Sequence, residues 1–332
     1  MKGDLVLLQT QVTDMVEKLL KEAGEAVGMP DILVITGNTT MLYLLTGRNP
    51  ECLSHAPFIA DTLFDIDTEL YGQRVYLPPC MNAFVGADIT TAVLASCMCE
   101  KAETALLCDI GTNGEMALWK DGRLYVTSTA AGPAFEGAGI SCGCGSVRGA
   151  IDRVWLENGK LRIHTLGDAE AVGVCGSGLI DAIAAGLLSE QIDETGAMDE
   201  DELVLSENVS LEPRDVRAVQ LAKAAIAAGL EMLLETADAS MDEVGTLYIA
   251  GGFGSHLNVE SAVTIGLLPQ GLKDKAKIVG NAALAGAAQV LLNRNARGML
   301  SRIASASEHV NLGGNPKFNE KYIEMMFFGE DF

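Results

Sequence analysis

Apolar residues recur at helical spacing near the start of the chain, with Leu8, Val12, Met15, Val16, Leu19 and Leu20 on one face. The pattern predicts an amphipathic helix over residues 4–27. The period then changes. Residues 32–36 form a short β-branched run, the signature of a buried strand, and after Gly37-Asn38-Thr39-Thr40 the helical period resumes with Met41, Leu42, Leu44 and Leu45. Residues 74–77 read as a second strand. Phe84-Val85-Gly86-Ala87-Asp88 opens a helix of small residues that runs to Cys99.

From Thr104 onward hairpins dominate. Residues 106–110, 116–119 and 124–129 read as strands, joined by a tight turn over 111–115 and by Asp121-Gly122, a dipeptide suited to two-residue hairpin turns. A glycine-rich loop covers 130–149, and Asn158-Gly159 marks a further hairpin. The remainder reads as mostly helical, with a long amphipathic helix over 213–236, a shorter one over 281–292 and one strand over 247–250. This alternation predicts an α/β protein, divided near residues 100–104 into lobes of 1–102 and 103–332.

Composition narrows the function classes. The chain has 332 residues, 48% hydrophobic and 20% charged, enough apolar material for sizeable cores. Lys and Arg total 23 against 45 Asp and Glu, a net charge of −22. Such a surface repels phosphate backbones and anionic lipid, which argues against nucleic acid and membrane partners. No apolar run approaches the roughly 20 residues of a membrane span, and the N-terminus does not read as a secretory signal. Eight cysteines are too sparse for a disulfide scaffold, which points to a reducing cytoplasm.

Four glycine turns carry the candidate chemistry. In Asp109-Ile110-Gly111-Thr112-Asn113-Gly114-Glu115 an aspartate ends a strand and a Gly-Thr-Asn-Gly turn follows. Turn amides can converge on a phosphate oxygen, and the Thr112 hydroxyl adds a donor. Asp109 is placed to hold a Mg²⁺ shell or orient a water, with Glu115 as the second acid. Asn-Gly is also a hairpin signal in its own right; the two flanking acids tilt the balance to a phosphate–metal site. Gly176-Ser177-Gly178 precedes an apolar helical run and offers amides to an anion, although a plain turn is the commoner meaning. Gly251-Gly252-Phe253-Gly254 follows a strand and suits either a flat ligand face packed on backbone or a tight turn. Asn281 reads as a helix N-cap before a run of small residues, which favours close helix packing over nucleotide contact.

Other features weigh less. The pairs Cys97/Cys99 and Cys142/Cys144 lack Cys-x-x-Cys spacing and read as buried thiols, like Cys175. His55, His164, His256 and His309 are scattered without metal spacing. Glu136 is an acidic loop residue, either mobile and functional or simply solvated. No Gly-x-Gly-x-x-Gly follows the first strand and no P-loop lysine is present, which demotes dinucleotide oxidoreductases and P-loop ATPases.

Taken in order, Asp109-Ile-Gly-Thr-Asn-Gly-Glu115, Ala130-Ala-Gly-Pro-Ala-Phe-Glu-Gly-Ala-Gly-Ile-Ser-Cys-Gly143, Cys175-Gly-Ser-Gly-Leu-Ile-Asp181, Leu221-Ala-Lys-Ala-Ala-Ile226, Ala250-Gly-Gly-Phe-Gly254 and Gly280-Asn-Ala-Ala-Leu-Ala-Gly-Ala287 resemble the C-terminal part of the reductive activators of corrinoid proteins. Gly37-Asn-Thr-Thr-Met41 and Phe84-Val-Gly-Ala-Asp88 match as well. That family is similar to acetate and sugar kinases, heat-shock chaperones and actin, in which two ribonuclease-H-like lobes clasp ATP. The resemblance implies that 109–115 is a phosphate hairpin and 251–254 the adenosine-side turn, with Gly176, Ser177, Gly178 and Asn281 as further nucleotide contacts. It implies ATP and Mg²⁺ as cofactors, a corrinoid protein as partner, and ATP-driven one-electron reduction of cob(II)amide to cob(I)amide.

Two departures shape the expectation. The chain has no cysteine-rich loop of the ferredoxin-like domain found in the family, so no iron–sulfur cluster is expected in it and the electron comes from a separate donor. The family's opening strand hairpin is also absent ahead of the first helix, so the first lobe is expected to lack its opening strands and half of the phosphate clamp. In addition, residues 144–148 differ from the family's usual stretch. An uncovered sheet edge then calls for a partner chain or a homodimer. A non-catalytic scaffold that docks a corrinoid protein is the alternative, and a small-molecule kinase ranks last.

Overall fold

The computed structural model describes residues 2–252 and 256–329. The chain forms two compact units. The first gathers the residues up to Lys101, Gly122–Leu124 and Asn281–His309; the second holds Ala102–Asp121, Tyr125–Gly280 and the residues from Val310 on.

The first unit begins with α1 (Lys2–Val27), β1 (Ile32–Val34) and α2 (Thr39–Leu45), followed by β2 (Ile66–Leu70), β3 (Gln73–Leu77) and α3 (Ala87–Ser96). Asn38 caps α2 by accepting the Met41 amide at 2.9 Å. β1 runs parallel to β3, and β2 pairs with it antiparallel through a two-residue turn. Tyr71 and Gly72 in that turn have φ of 56° and 69°, the left-handed pair that matches strand twist. Leu42, Tyr43, Leu45, Val75 and Leu77 form the core of this unit. α3 stops at Ser96, short of the expected Cys99, because Cys97 turns left-handed at φ 53°.

The second unit is built on β4 (Thr104–Ile110), β5 (Gly114–Lys120) and β6 (Arg123–Thr129). It continues with β7 (Ala150–Glu157), β8 (Lys160–Thr165), β9 (Gly173–Val174), α4 (Gly176–Leu188), β10 (Leu203–Ser206), β11 (Val209–Leu211), α5 (Pro213–Thr236), β12 (Val244–Ala250), α6 (Val259–Thr264) and β13 (Ala276–Gly280). The main sheet runs β13-β12-β4-β5-β6, with β12 parallel to both neighbours and β4 antiparallel to β5. Leu106, Cys108 and Ile110 on β4 and Met116 and Leu118 on β5 enter one continuous core with α4 and α5. Proline at the first turn and a capping box between Glu212 and Asp215 start α5. The strand over 116–119 starts two residues earlier than expected, since Gly114 and Glu115 pair with Ile110 and Asp109.

α7 (Ala282–Leu292) and α8 (Ala296–Ala306) return to the first unit. α7 lies against α3 so closely that a methyl group at Gly286 would overlap the Thr91 carbonyl. α9 (Pro316–Glu324) packs on α5, where Lys321 reaches Glu231 at 2.5 Å. Among the described residues no helix is long and apolar enough to cross a membrane.

Candidate functional site

β4 and β12 are parallel and aligned so that Ala250 lies beside Asp109. The turns that follow both strands therefore emerge together at the carboxyl ends of the strands, where open α/β sheets place their ligands. Across the β4–β5 hairpin the register sets Asp109 directly opposite Glu115. Opposed residues share a face with Cβ atoms about 5 Å apart, and like charges there are mutually destabilising. Asp109 is half-buried and Glu115 is buried at 8% exposure, so this is a sheltered pair of acids.

Thr112 and Asn113 at the tip are exposed. The Gly111 amide donates to the Asn113 carbonyl at 3.1 Å, which closes the turn. The Thr112 amide donates to Glu136 Oε1 at 3.1 Å, and the Thr112 hydroxyl donates to Glu136 Oε2. Both Thr112 donors thus meet on one carboxylate. The Gly132 amide donates back to the Thr112 carbonyl at 2.8 Å. Glu136 ends a single turn of 3₁₀ helix, Pro133–Glu136, that packs against α4 and α5. Sequence reasoning left it as either a mobile functional acid or a solvated loop carboxylate; it is exposed, yet bonded to the turn.

The rest of the glycine-rich loop is fastened by Asp215, which the sequence reading passed over. Asp215 is fully buried and accepts the Ser141 amide at 2.9 Å, the Ser141 hydroxyl at 3.1 Å and the Glu212 amide at 2.8 Å. Its place at the third position of a proline-started helix was the signal.

At the end of β12, Gly251 has φ +109°. A methyl group there would lie 2.6 Å from the Ile110 carbonyl oxygen and 3.0 Å from Asp109 Oδ1, so the two turns touch through bare backbone. Gly252 is exposed, with open space where a side chain would stand. Phe253 and Gly254 lie outside the described residues. Gly176, Ser177 and Gly178 are buried at the start of α4. A methyl group at Gly178 would overlap the Ile151 carbonyl of β7, and the Ser177 hydroxyl lies 3.4 Å from Cys175 Sγ. Asn281, in the first unit, is exposed and caps α7 through the Leu284 amide at 2.9 Å. The structure therefore gathers Asp109, Gly111, Thr112, Asn113, Gly114, Glu115, Gly251 and Gly252 at the carboxyl ends of β4 and β12. The Gly-Ser-Gly segment is packed under β7.

In the first unit the two other motifs meet each other. The Ala87 amide donates to the Gly37 carbonyl at 3.0 Å, and a side chain at Gly86 would collide with Asn38. Burial pushes the Asp88 carboxyl up to about 6, partly offset by the Ile89 amide.

The donor set at the β4 edge fits a magnesium-complexed phosphate. Thr112 already holds an anion, Gly251 keeps backbone rather than side chain against Asp109, and two acids lie opposite each other in register. Among the described residues no group of three or more His, Cys, Asp or Glu is placed as a metal cage. Mg²⁺ does not need one, since it is usually held by one or two carboxylates together with substrate phosphates.

The mixed α/β architecture, with its glycine-turned acidic hairpin after the interior strand β4, is consistent with the class of actin-like, ribonuclease-H-like folds. Residues 103–331 match the C-terminal domain of RACo, the ASKHA domain, and residues 3–101 match the RACo middle region. The chain belongs to the RACo family. It is 36% identical over 335 positions to the corrinoid activation enzyme RamQ of Eubacterium limosum, covering 90% of this chain and 56% of that protein. It is 29% identical over 286 positions to the [Co(II) methylated amine-specific corrinoid protein] reductase of Methanosarcina barkeri, covering 77% of this chain and 53% of that protein. The solved structure of a reductive activator for a corrinoid, iron–sulfur protein superposes with TM-score 0.87 at 33% identity, over 96% of this chain and 56% of the other. The chain thus spans little more than half the length of each of these relatives.

Proposed function

We propose that this chain binds MgATP at the turn after β4 and couples it to reductive activation of a corrinoid protein. One electron, supplied by a separate iron–sulfur protein or domain, converts cob(II)amide to cob(I)amide, while ATP and water give ADP and phosphate. Gly111, Thr112, Asn113 and Gly114 hold phosphate oxygens. Asp109 holds the cation and Glu115 is the second acid that orients water. Residues 251–254 form the adenosine side. MgATP supplies the free energy; the chain supplies position and charge. The observation that carries the reading is the Thr112 pair of donors converging on an anion beside Asp109 and Glu115. The names of the relatives support the corrinoid partner. The eight free cysteines suit a reducing cytoplasm, and a homodimer is the assembly proposed.

Titration calorimetry with MgATP tests the binding step. The wild-type chain gives a saturable heat and Asp109→Ala none. The absence of heat from the wild type at millimolar MgATP, or unchanged affinity in Asp109→Ala, overturns the assignment. For the coupled step, loss of the cob(II) absorption of a corrinoid protein, with a low-potential reductant present, becomes dependent on this chain and ATP together.

A further inference from the structure

The two donors assigned to phosphate are engaged within the chain itself. Thr112 has one amide hydrogen and one hydroxyl hydrogen, and both go to the Glu136 carboxylate. We propose that Glu136 is a built-in competitor for nucleotide phosphate, and that its withdrawal from Thr112 sets the affinity of the site. This rests on the nucleotide reading above and goes beyond it, because it makes a loop acid the determinant of affinity.

The chemistry makes the two occupants exclusive. A carboxylate and a phosphate each present two oxygens to the same pair of donors, by charge-assisted bonds of similar length. The donors cannot serve both, and two anions at contact distance repel. A cation held by Asp109 does not resolve the conflict, since it adds no donor at Thr112.

The surroundings allow the carboxylate to leave and the loop to stay. Glu136 is exposed, so its head group passes into water without a large desolvation change. Its neighbours Ala134, Phe135 and Ile140 are buried at 5%, 1% and 7% exposure. Ser141 is bonded to buried Asp215, and Gly132 to the Thr112 carbonyl at 2.8 Å. Withdrawal is therefore a side-chain rotation on a fixed backbone. A form in which Glu136 holds Thr112 in about nine molecules of ten weakens apparent affinity about tenfold relative to an open site.

The test compares wild type, Glu136→Ala and Glu136→Gln by calorimetry with MgATP, and by amide exchange at Thr112 with and without nucleotide. Glu136→Ala binds about tenfold more tightly, and Glu136→Gln falls between it and the wild type. Without nucleotide, Thr112 exchanges faster in Glu136→Ala than in wild type; with MgATP the two become equally protected. Circular dichroism confirms that the variants, altered at an exposed position, are folded. Equal affinity, or weaker binding by Glu136→Ala, overturns the inference and leaves the nucleotide site standing, as does unchanged Thr112 exchange in the nucleotide-free variant. No binding by any of the three proteins overturns both.

Discussion

Gly251 and Gly252 are adjacent in sequence and opposite in what they tolerate, which makes them a matched test of the β4–β12 edge. At Gly251 an alanine faces two obstacles. Its φ of +109° lies beyond the left-handed region that non-glycine residues visit, and such conformations cost of order 1–3 kcal/mol. Its methyl group would also stand 2.6 Å from the Ile110 carbonyl oxygen, backbone that belongs to the central strand. Overpacking of this kind adds about 1–3 kcal/mol. Taking about 3 kcal/mol for the two together, and about 2–4 °C per kcal/mol for a unit of this size, Gly251→Ala should lower Tm by roughly 6–12 °C. At Gly252 a methyl group meets nothing within 4 Å, so Gly252→Ala should move Tm by no more than about 2 °C. Calorimetric melting without nucleotide measures both, and MgATP titration of the stable variant follows. If a ligand face lies on this turn, Gly252→Ala binds more weakly although its fold is intact. Equal melting temperatures for the two variants would refute the packing argument.

Two further perturbations concern the first unit. Asp88 has its carboxyl raised from 3.8 to about 6, so the folded chain keeps a proton that the unfolded chain releases between those values. Its ionisation therefore lowers stability as pH rises from 4 to 6. Asp88→Asn, which keeps an acceptor for the Ile89 amide, should stabilise by about 3 kcal/mol at pH 8 and about half that at pH 5; urea midpoints with a pH-independent difference would contradict this. Gly286→Ala would place a methyl group 2.5 Å from the Thr91 carbonyl carbon and 2.9 Å from its Cα, where ordinary contact begins near 3.4 Å. The α3–α7 pair must separate, at a cost of about 1–3 kcal/mol. Gly298→Ala on α8 meets nothing within 4 Å and should instead gain up to about 1 kcal/mol. A shift of the same sign in both variants would undo the argument.

The hairpin of the site was legible because Asn113-Gly114 is a local signal, and the acids on either side fall into register once the turn closes. Asn281 was legible as a cap for the same reason: its acceptor and its donor are three residues apart. The bond between Thr112 and Glu136 was not, because 24 residues of chain separate them and only the folded loop brings them together. β2 went unread although Ile66-Asp67-Thr68-Glu69-Leu70 alternates; its acids on the solvent side lower strand propensity, and the partner that pairs with it decides. β13 is short and carries Lys277, so its composition resembles a loop until β12 supplies the ladder. The return of α7 to α3 depends on Gly286 lying against the Thr91 backbone, a long-range contact with no signature in local periodicity.

The acidity of the chain bears on how such a site works. Residues 109–115 contain no Lys or Arg, and the protein carries a net charge of −22. A carboxylate about 6 Å from a phosphate charge opposes it by about 3 kcal/mol at an effective dielectric of 20. Asp109, Glu115 and Glu136 would each oppose an uncomplexed triphosphate bound at this hairpin. On the proposed reading, a divalent cation held by Asp109 would offset the charge of both acids, with Glu115 left to orient water. Glu136, tied to Thr112 at the tip, would on the same reading have to withdraw. On the reading proposed above, these three acids would exclude bare nucleotide and admit its magnesium complex, so that charge placement would do in this hairpin what a lysine does in P-loop proteins.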